Sequence, residues 1–382
     1  MSALTSLTVL IGPNGSGKST IFDVFSFLSD CFQLGLRHAC ETRGRLREMR
    51  SRGSAGPIAF ELKYRERPQS PLMTYHLSID EGARGPEVID EWLDWGGEGE
   101  DKPFRLLDFH RGVGRAVSGD APHAITQGKD MTLRSGELLA VNTLGQLSEY
   151  PRVATLREFM SDWYISHLSV DSTRELLEAR SQERLSRGGE NLPNVIQYLK
   201  ENHPKTLDQI YEAMRARIPR LERVETERGL DGRLQLHVKD APFEQPVLSR
   251  FASEGTLKLL SYLTLLYAPN LPSLMGIEEP ENFLHPRLLT ALAEECRAAS
   301  ERSQLLMTSH SPFLLNAMRA EDVRLLYRDE GGFAQLVRVS DLQGVPELVR
   351  GGGSLGYLWM EGHFGVGDPL VNHGSPRARR RG

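Results

Sequence analysis

The stretch Gly12-Pro13-Asn14-Gly15-Ser16-Gly17-Lys18-Ser19-Thr20 decides the fold of this chain. It contains Gly-x-x-x-x-Gly-Lys-[Ser/Thr], the pattern of a loop that wraps phosphate groups. The apolar run at residues 7–11 precedes it and predicts a buried strand. Apolar residues then follow at the spacing of one helical face: Ile21, Val24, Phe25 and Leu28. The loop is therefore predicted to join a strand to a helix.

Each part of this loop has a predicted task toward ATP and Mg²⁺. Gly15 and Gly17 allow backbone N–H groups to curl around phosphate oxygens, and the start of the helix adds partial positive charge. Lys18 is expected to reach the β- and γ-phosphates, and the Ser19 hydroxyl to bind Mg²⁺. The other predicted nucleotide-binding residues of the loop are Gly12, Pro13, Asn14, Ser16 and Thr20.

Two carboxylates follow a second apolar run, residues 274–277, which predicts a buried strand. At a strand end beside such a loop, one acid can hold Mg²⁺ and another can polarise the attacking water. Glu278 is the predicted metal ligand and Glu279 the predicted catalytic base. Such sites commonly have Asp followed by Glu, so the longer Glu278 makes its metal contact an open question. The alternative is two solvated acids that end a strand.

A third apolar run, residues 305–307, precedes Thr308-Ser309-His310-Ser311. His310 is the second predicted catalytic residue, placed to contact the γ-phosphate or the attacking water. A histidine in this position could instead be structural. Its position in the chain after Glu279 favours the catalytic interpretation.

A second phosphate-binding surface is predicted at Ser253-Glu254-Gly255-Thr256, which opens a helix over residues 257–268. Ser253 is a favourable N-cap residue, and a hydroxyl, the Gly255 N–H and a helix N-terminus together suit phosphate. Because the chain already has one phosphate loop, this surface is best used on the γ-phosphate held by a partner subunit. The alternative is an ordinary capped helix.

Taken together, these segments resemble the ATP-binding-cassette (ABC) ATPases of the RecF, SMC and OLD group over residues 6–80 and 230–340. The resemblance implies an ATPase head that hydrolyses ATP with Mg²⁺ and forms an ATP-dependent homodimer. In that family the segment around Ser253 is the signature motif, residues 278–286 follow the Walker B strand, and His310 is the switch histidine. The loop around Asn282 would cross the dimer interface. Gln146 is a candidate for the family's glutamine-bearing loop, or else a plain surface residue.

Two features depart from that family. Its members usually begin with an extra strand, carrying a basic and aromatic segment, whereas only a few residues precede the first apolar run here. OLD enzymes also carry a Toprim nuclease with a separated Glu and an Asp-x-Asp pair. Asp329-Glu330 is instead predicted to be the turn of a hairpin between residues 323–327 and 333–339. We therefore expect no nuclease in this chain.

Composition favours a globular cytoplasmic protein. Of 382 residues, 39% are hydrophobic and 25% charged, which is ordinary for a folded chain. No stretch approaches the roughly 18 uninterrupted apolar residues of a membrane span. The start of the chain lacks the basic region of a signal peptide. The three cysteines show no metal-binding or redox spacing.

The predicted fold class is α/β, an ABC-type P-loop ATPase head interrupted by a mostly helical insertion that acts as a lid or arm. The two halves of the head are predicted at residues 1–80 and 229–345. The insertion is predicted at residues 81–228, irregular or β at first and then helical, with a charged helix at 174–187 and further helices at 193–201 and 207–218. Residues 346–382 are predicted to form a C-terminal extension with a basic, disordered tail.

The net charge of −5 requires any DNA-binding surface to be local. The best candidate is an arginine patch made of Arg37, Arg43, Arg45, Arg47, Arg50 and Arg52. This patch favours an ATP-gated clamp on DNA, in genome maintenance or defence against phage. The net negative charge and the expected lack of a nuclease favour the alternative, a nucleotide switch that controls a separate nuclease or toxin. Transport is a third option, which would need a separate membrane protein.

Overall fold

The computed structural model describes residues 4–51, 53–67, 69–96, 103–119, 128–173 and 177–367. The chain forms two compact units. Met1–Asp23 and Tyr164–Gly382 make up the first, which we call the P-loop unit, and Val24–Trp163 make up the second, which we call the meander unit.

The described strands are β1 (Leu7–Ile11), β2 (Ile58–Tyr64), β3 (Met73–Gly82), β4 (Gly85–Trp95), β5 (Phe104–His110), β6 (Val113–Ala116), β7 (Lys129–Thr132), β8 (Tyr164–Ser166), β9 (Leu221–Arg228), β10 (Leu234–Asp240), β11 (Val247–Leu248), β12 (Leu274–Ile277), β13 (Gln304–Thr308), β14 (Val323–Arg328) and β15 (Ala334–Arg338). The described helices are α1 (Lys18–Gln33), α2 (Leu36–Glu41), α3 (Leu46–Met49), α4 (Ala140–Leu144), α5 (Pro151–Ser161), α6 (Val170–Thr173), α7 (Leu192–Asn202), α8 (Pro204–Arg217), α9 (Glu254–Leu266), α10 (Leu288–Ala299), α11 (Pro312–Leu315), α12 (Val345–Arg350) and α13 (Leu355–Met360). Helix α1 starts in the P-loop unit and continues into the meander unit.

A six-stranded sheet forms the centre of the P-loop unit, with the strand order β15-β14-β1-β13-β12-β8. Neighbours pair in parallel, except that β15 is antiparallel to β14. Strand β1 is buried along its whole length, as its continuous apolar run predicts. The strands predicted before the phosphate loop, before Glu278 and before Thr308 are β1, β12 and β13. The predicted α/β class is therefore confirmed, and the carboxyl ends of these three strands meet at one edge of the sheet.

Close packing at Gly276 brings β8 against β12. A Cβ at Gly276 would lie 2.7 Å from the Ile165 side chain and 3.1 Å from the Phe22 ring, so only glycine leaves room there. The Ser166 hydroxyl donates to the Gly276 carbonyl oxygen at 2.8 Å, which ties the end of β8 to β12. This three-residue strand therefore has a fixed position at the end of the sheet.

Helix α9 lies in the hydrophobic core of the P-loop unit. Every residue from Leu257 to Leu266 is buried. Helices α7 and α8 lie close to the ranges predicted for them, and the hairpin β14–β15 forms where the sequence predicts it. Strands β9 and β10 form a second antiparallel hairpin. None of the helices in the described ranges is long and apolar enough to cross a membrane.

The charged helix predicted at residues 174–187 is wrong over its described part, residues 177–187. These residues are largely without regular structure, and Glu178 makes a single antiparallel bridge with Arg233. The Leu177 carbonyl oxygen accepts from the Leu234 N–H at 3.2 Å, outside any helical ladder. Pairing with the start of β10 has replaced the local helical preference of the sequence. Residues 174–176 lie outside the described ranges.

The meander unit contains an antiparallel sheet whose six strands, β2 to β7, follow chain order. Its buried face carries Tyr75, Leu77, Leu93, Leu107 and Phe109. Residues 85–132 contribute four of these strands, although their sequence pattern was ambiguous. The pairing skips Ile89 in β4 and Leu106 in β5, and these extra residues interrupt the alternation of apolar residues in the two strands.

A buried carboxylate, Glu91, ties the meander sheet to helix α4. It accepts hydrogen bonds from the Ala140 N–H, from the Val141 N–H at 3.1 Å and from the Tyr75 hydroxyl at 3.0 Å. Complete burial raises the pKa of Glu91 to about 7, although all three hydrogen bonds favour the ionised form. Glu91 therefore caps the first turn of α4 from within the core.

Candidate active site

The phosphate loop lies between β1 and α1, as predicted, and depends on its glycines. Gly15 and Gly17 adopt φ values of +76° and +108°, which residues with a Cβ rarely adopt. A Cβ at Gly12 would lie 2.1 Å from the Leu326 carbonyl oxygen on β14, so a side chain has no space there. On the outer side of the loop, the Arg328 Nε donates to the Gly15 carbonyl oxygen at 2.6 Å. The loop is thus held open by its own backbone and by the neighbouring strand.

Lys18 lies inside the loop. Its ammonium donates to the carbonyl oxygens of Gly12 at 2.8 Å and Pro13 at 3.1 Å. Burial lowers the pKa of Lys18, while the nearby carboxylates of Glu279 and Glu281 act in the opposite direction. The ammonium therefore points to the interior of the loop, where phosphate oxygens could replace the two carbonyls.

The other predicted loop residues are divided between solvent and interior. The side chains of Asn14, Ser19 and Thr20 are exposed, and Pro13 is half-buried. The Ser16 hydroxyl is buried and makes no hydrogen bond to any described residue. A buried hydroxyl without a partner is costly, so this oxygen suits a ligand that enters the loop.

Parallel pairing of β12 and β13 brings Glu279 and His310 together. The Glu279 N–H donates to the Thr308 carbonyl oxygen at 3.1 Å, and the Glu279 Oε1 lies 3.6 Å from the His310 Nε2. The Asn282 amide donates to the other carboxylate oxygen of Glu279 at 3.0 Å. Glu279 has a φ of +41°, a strained conformation for a residue with a Cβ. The two predicted catalytic residues thus form a contact pair, with Asn282 orienting the carboxylate.

Burial lowers the pKa of His310, and the Lys18 ammonium lowers it further. Glu279 and Glu281 oppose this shift. Because an imidazole with a lowered pKa is neutral near pH 7, His310 can accept or donate one hydrogen bond there without carrying charge.

Glu281 is a site residue that sequence reasoning missed. Its Oε1 accepts from the Ser309 hydroxyl at 2.9 Å and from the His310 N–H at 2.6 Å. Glu281 therefore holds the backbone at Ser309 and His310 in place. Its position within Glu278-Glu279-Pro280-Glu281 was the available signal.

Glu278 pairs with His167, which follows β8. The His167 Nδ1 lies 2.9 Å from the Glu278 Oε2. Sequence reasoning missed His167 because three residues of β8 are too few for a periodic signal and the two partners lie far apart in the chain. The pairing of β8 with β12 explains how they meet.

One cleft of about 480 Å³ brings the predicted metal ligands into a common space. It is lined by Ser19, His167, Leu168, Ser169, Val170, Asp171, Glu254, Lys258, Glu278, Glu279, Asn282 and Phe283. Hydroxyl and carboxylate oxygens are the ligands that Mg²⁺ prefers. Ser19 and Glu278 could therefore hold Mg²⁺, while the loop with Lys18 and Ser16 could hold the phosphates. The residues present fit a magnesium nucleotide, whose metal would neutralise charge on the phosphates.

The predicted signature residues cap helix α9 beside this cleft. The Ser253 Oγ accepts from the Thr256 N–H at 3.2 Å, so the predicted N-cap is confirmed. A Cβ at Gly255 would lie 2.8 Å from the Phe283 carbonyl oxygen. Phe283 is itself strained, with a φ of +69°, and its side chain is exposed. The start of α9 therefore packs directly against the loop that follows Glu279.

Lys258, one turn further along α9, is a third residue that sequence reasoning missed. Its side chain is only 6% exposed, and its ammonium donates to the Leu168 carbonyl oxygen. Burial lowers the pKa of Lys258. This contact ties α9 to the segment that follows His167.

The candidate glutamine lies in the meander unit. The Gln146 side-chain amide donates to the Asn142 carbonyl oxygen at 2.9 Å, one turn earlier in the chain. Its assignment to the glutamine-bearing loop stays a prediction.

Comparisons with solved structures give distant matches to SMC heads. A head bound to the C-terminal winged-helix domain of ScpA has 13% identity and a TM-score of 0.45, over 87% of this chain and 90% of that one. The SMC head domain from Thermotoga maritima has 12% identity and a TM-score of 0.42, over 88% and 92%. An Smc head with an extended coiled coil, bound to the C-terminal domain of ScpA from Pyrococcus furiosus, has 12% identity and a TM-score of 0.46, over 91% and 94%.

A family model described as "AAA domain, putative AbiEii toxin, Type IV TA system" matches residues 7–79 and 148–316, more than half of the chain. No curated protein matches the sequence. The matched ranges include the phosphate loop, the start of α9, the two carboxylates that follow β12, and residues 308–311 with the switch histidine. The chain therefore belongs to this AAA domain family of P-loop ATPases.

Proposed function

We propose that the chain binds and hydrolyses ATP with Mg²⁺ and that ATP closes two copies into a homodimer. The observation that carries this proposal is the meeting of Lys18, Glu279 and His310 at one edge of the sheet. The carboxylates of Glu279 and Glu281 lie close enough to raise the pKa of Lys18 against the effect of burial, and Glu279 contacts His310. A phosphate-binding ammonium and a carboxylate that can position and deprotonate water are recurring groups in phosphoryl transfer to water, and His310 adds a neutral imidazole beside them.

In the proposed reaction, the Glu279 carboxylate takes a proton from water as the water oxygen attacks the γ-phosphorus. The bond from that phosphorus to the β–γ bridging oxygen breaks, and ADP and phosphate leave. Lys18 balances the charge that develops on the phosphate oxygens. Asn282 keeps one Glu279 oxygen occupied, which leaves the other to face water and His310.

Phosphate release from ATP by the purified chain tests this proposal. We expect release with Mg²⁺ and none with EDTA. A chain that binds magnesium ATP but releases no phosphate would contradict the hydrolysis step and leave the nucleotide-switch alternative.

Dimer closure rests on the second phosphate surface. Ser253 is exposed and Gly255 is half-buried at the start of α9, beside the strained Phe283. We propose that these residues meet the γ-phosphate bound by Lys18 of the partner subunit. The family resemblance to RecF, SMC and OLD proteins supports the same arrangement.

The target of the ATPase has two candidates, and the first is DNA. Within the arginine patch, Arg45 and Arg47 are exposed. Arg37 pairs with Glu137 at 2.8 Å, Arg43 with Asp30 at 2.9 Å, and Arg50 with Asp80. Arg52 and the basic tail at residues 377–381 lie outside the described ranges. Two exposed arginines are the part of the patch that supports a DNA-binding surface.

The second candidate is a separate effector protein. The internal ion pairs of Arg37, Arg43 and Arg50 favour it, because paired arginines have less charge to offer phosphates. The family description names a toxin–antitoxin system, which supports a role in defence.

DNA binding is tested by replacing Arg45 and Arg47 with Ala. If they contact phosphates, affinity for duplex DNA should fall, and the slope of log affinity against log salt should decrease by about two. Exposed Arg215 and Arg228, replaced together, are the matched control. Fluorescence anisotropy over a salt series measures both slopes. Equal slopes would place any DNA surface elsewhere, and no DNA binding with ATP present would favour the effector protein.

A further inference from the structure

We propose that His167 is a positioning residue that orients the Glu278 carboxylate toward a magnesium ion at Ser19. This inference rests on the proposed function, because it concerns the metal that accompanies ATP. It adds a residue that neither the sequence motifs nor the family comparison assigns to the site.

The strand register places the two side chains next to each other. Strands β8 and β12 pair in parallel, with Ser166 opposite Ile277. The next residues along the two strands are His167 and Glu278, and their side chains meet at 2.9 Å. Both side chains line the cleft that contains Ser19. The contact therefore results from the fold of the sheet.

The backbone of His167 is held on both sides. The Ser166 hydroxyl donates to the Gly276 carbonyl oxygen at 2.8 Å, and the His167 N–H donates to the Arg187 carbonyl oxygen at 2.8 Å. The Ser169 N–H donates to the Gly188 carbonyl oxygen at 3.1 Å. An imidazole mounted on such a segment can restrict the side chain that it contacts.

The side chain of Glu278 has more conformational freedom to restrict than the residue common at this position. A glutamate has one more rotatable bond than the aspartate common in such sites, so its carboxylate is less well placed by the backbone alone. The His167 bond uses Oε2, so Oε1 is the carboxylate oxygen that this contact leaves for a metal ion. Groups that orient metal-binding carboxylates typically change metal affinity by about 10- to 100-fold when removed.

Two substitutions separate positioning from direct metal contact. In His167→Asn, the side-chain amide nitrogen takes the place of Nδ1, which faces Glu278. In His167→Gln, the side-chain amide nitrogen takes the place of Nε2, which is at the far side of the ring from Glu278. A positioning role through Nδ1 therefore predicts rescue by Asn and not by Gln.

Calorimetric ATP affinity of the full chain, with Mg²⁺ and with EDTA, tests the inference. We expect His167→Ala to reduce the Mg²⁺-dependent gain in ATP affinity about tenfold and to leave the affinity in EDTA unchanged. His167→Asn should keep most of the gain, and His167→Gln should behave like Ala. Exposed His363, replaced by Ala, is the matched control and should behave like the wild type.

Three results would overturn the role proposed for His167 and leave the proposed function intact. These are an unchanged gain in His167→Ala, an equal loss in Mg²⁺ and EDTA, and rescue by Gln but not Asn. A wild-type chain that binds no ATP in either buffer would overturn the proposed function as well.

Discussion

Replacing Glu279 with Gln should reduce phosphate release from ATP by about 100-fold or more, because the amide cannot take a proton from water. ATP affinity should stay close to that of the wild type, since the loop, Lys18 and Ser19 are unchanged. Single-turnover phosphate release measures the rate, and calorimetry measures the affinity. Gln has the shape of Glu and can still contact Asn282 and His310, so the fold of the site should persist.

The matched control is Glu361→Gln, an exposed carboxylate that follows α13. It should release phosphate at the wild-type rate. A Glu279→Gln variant as fast as the wild type would show that Glu279 is not the base, and Glu278 or His310 would then take that role.

Replacing Lys18 with Ala should remove most ATP affinity. The ammonium is buried inside the loop, and the loss of one partner from a buried charge pair costs about 2 kcal/mol or more, which is about 30-fold in affinity. Calorimetry with ATP measures this loss, and exposed Lys200→Ala is the matched control. ATP affinity within twofold of the wild type would contradict the assignment of the phosphate loop.

The sequence predicts the parts of the site that are built from local patterns. Apolar runs identify β1, β12 and β13, because a buried central strand has nowhere to expose polar side chains. The runs end at Gly12 of the phosphate loop, at Glu278 and at Thr308. Since parallel strands share one edge, the same reasoning predicts that Glu279 and His310 lie together. The Ser253 cap follows from the N-cap preference of serine.

The parts that the sequence does not predict depend on contacts between distant residues. Strand β8 is only three residues long, so neither it nor the contact of His167 with Glu278 leaves a periodic signal. The bond between Glu281 and Ser309 joins two motifs that each looked complete alone.

Two segments, one left open between irregular structure and strands and one wrongly predicted as a helix, show the same limit on the scale of whole elements. An extra residue in β4, Ile89, and another in β5, Leu106, interrupt the alternation of apolar residues in the meander sheet. The helix predicted at residues 174–187 is overridden over its described part by pairing with the start of β10.

The proposed dimer closure should also be sensitive to a negative charge introduced at position 253. Ser253→Asp and Ser253→Asn both keep an N-cap for α9, and they differ only in charge. In the Glu279→Gln background, the Asp variant should weaken the ATP-dependent dimer far more than the Asn variant, because a carboxylate repels the γ-phosphate. This pair separates loss of the phosphate contact from loss of the cap.

Light scattering on Glu279→Gln tests the central claim most directly, that ATP closes two copies of this chain. With Mg²⁺ and ATP, we predict that the measured mass rises from the 42.8 kDa of one chain to twice that value, and that it returns to one chain with ADP. A Glu279→Gln variant that binds ATP but stays at the mass of one chain at saturating ATP would contradict the claim.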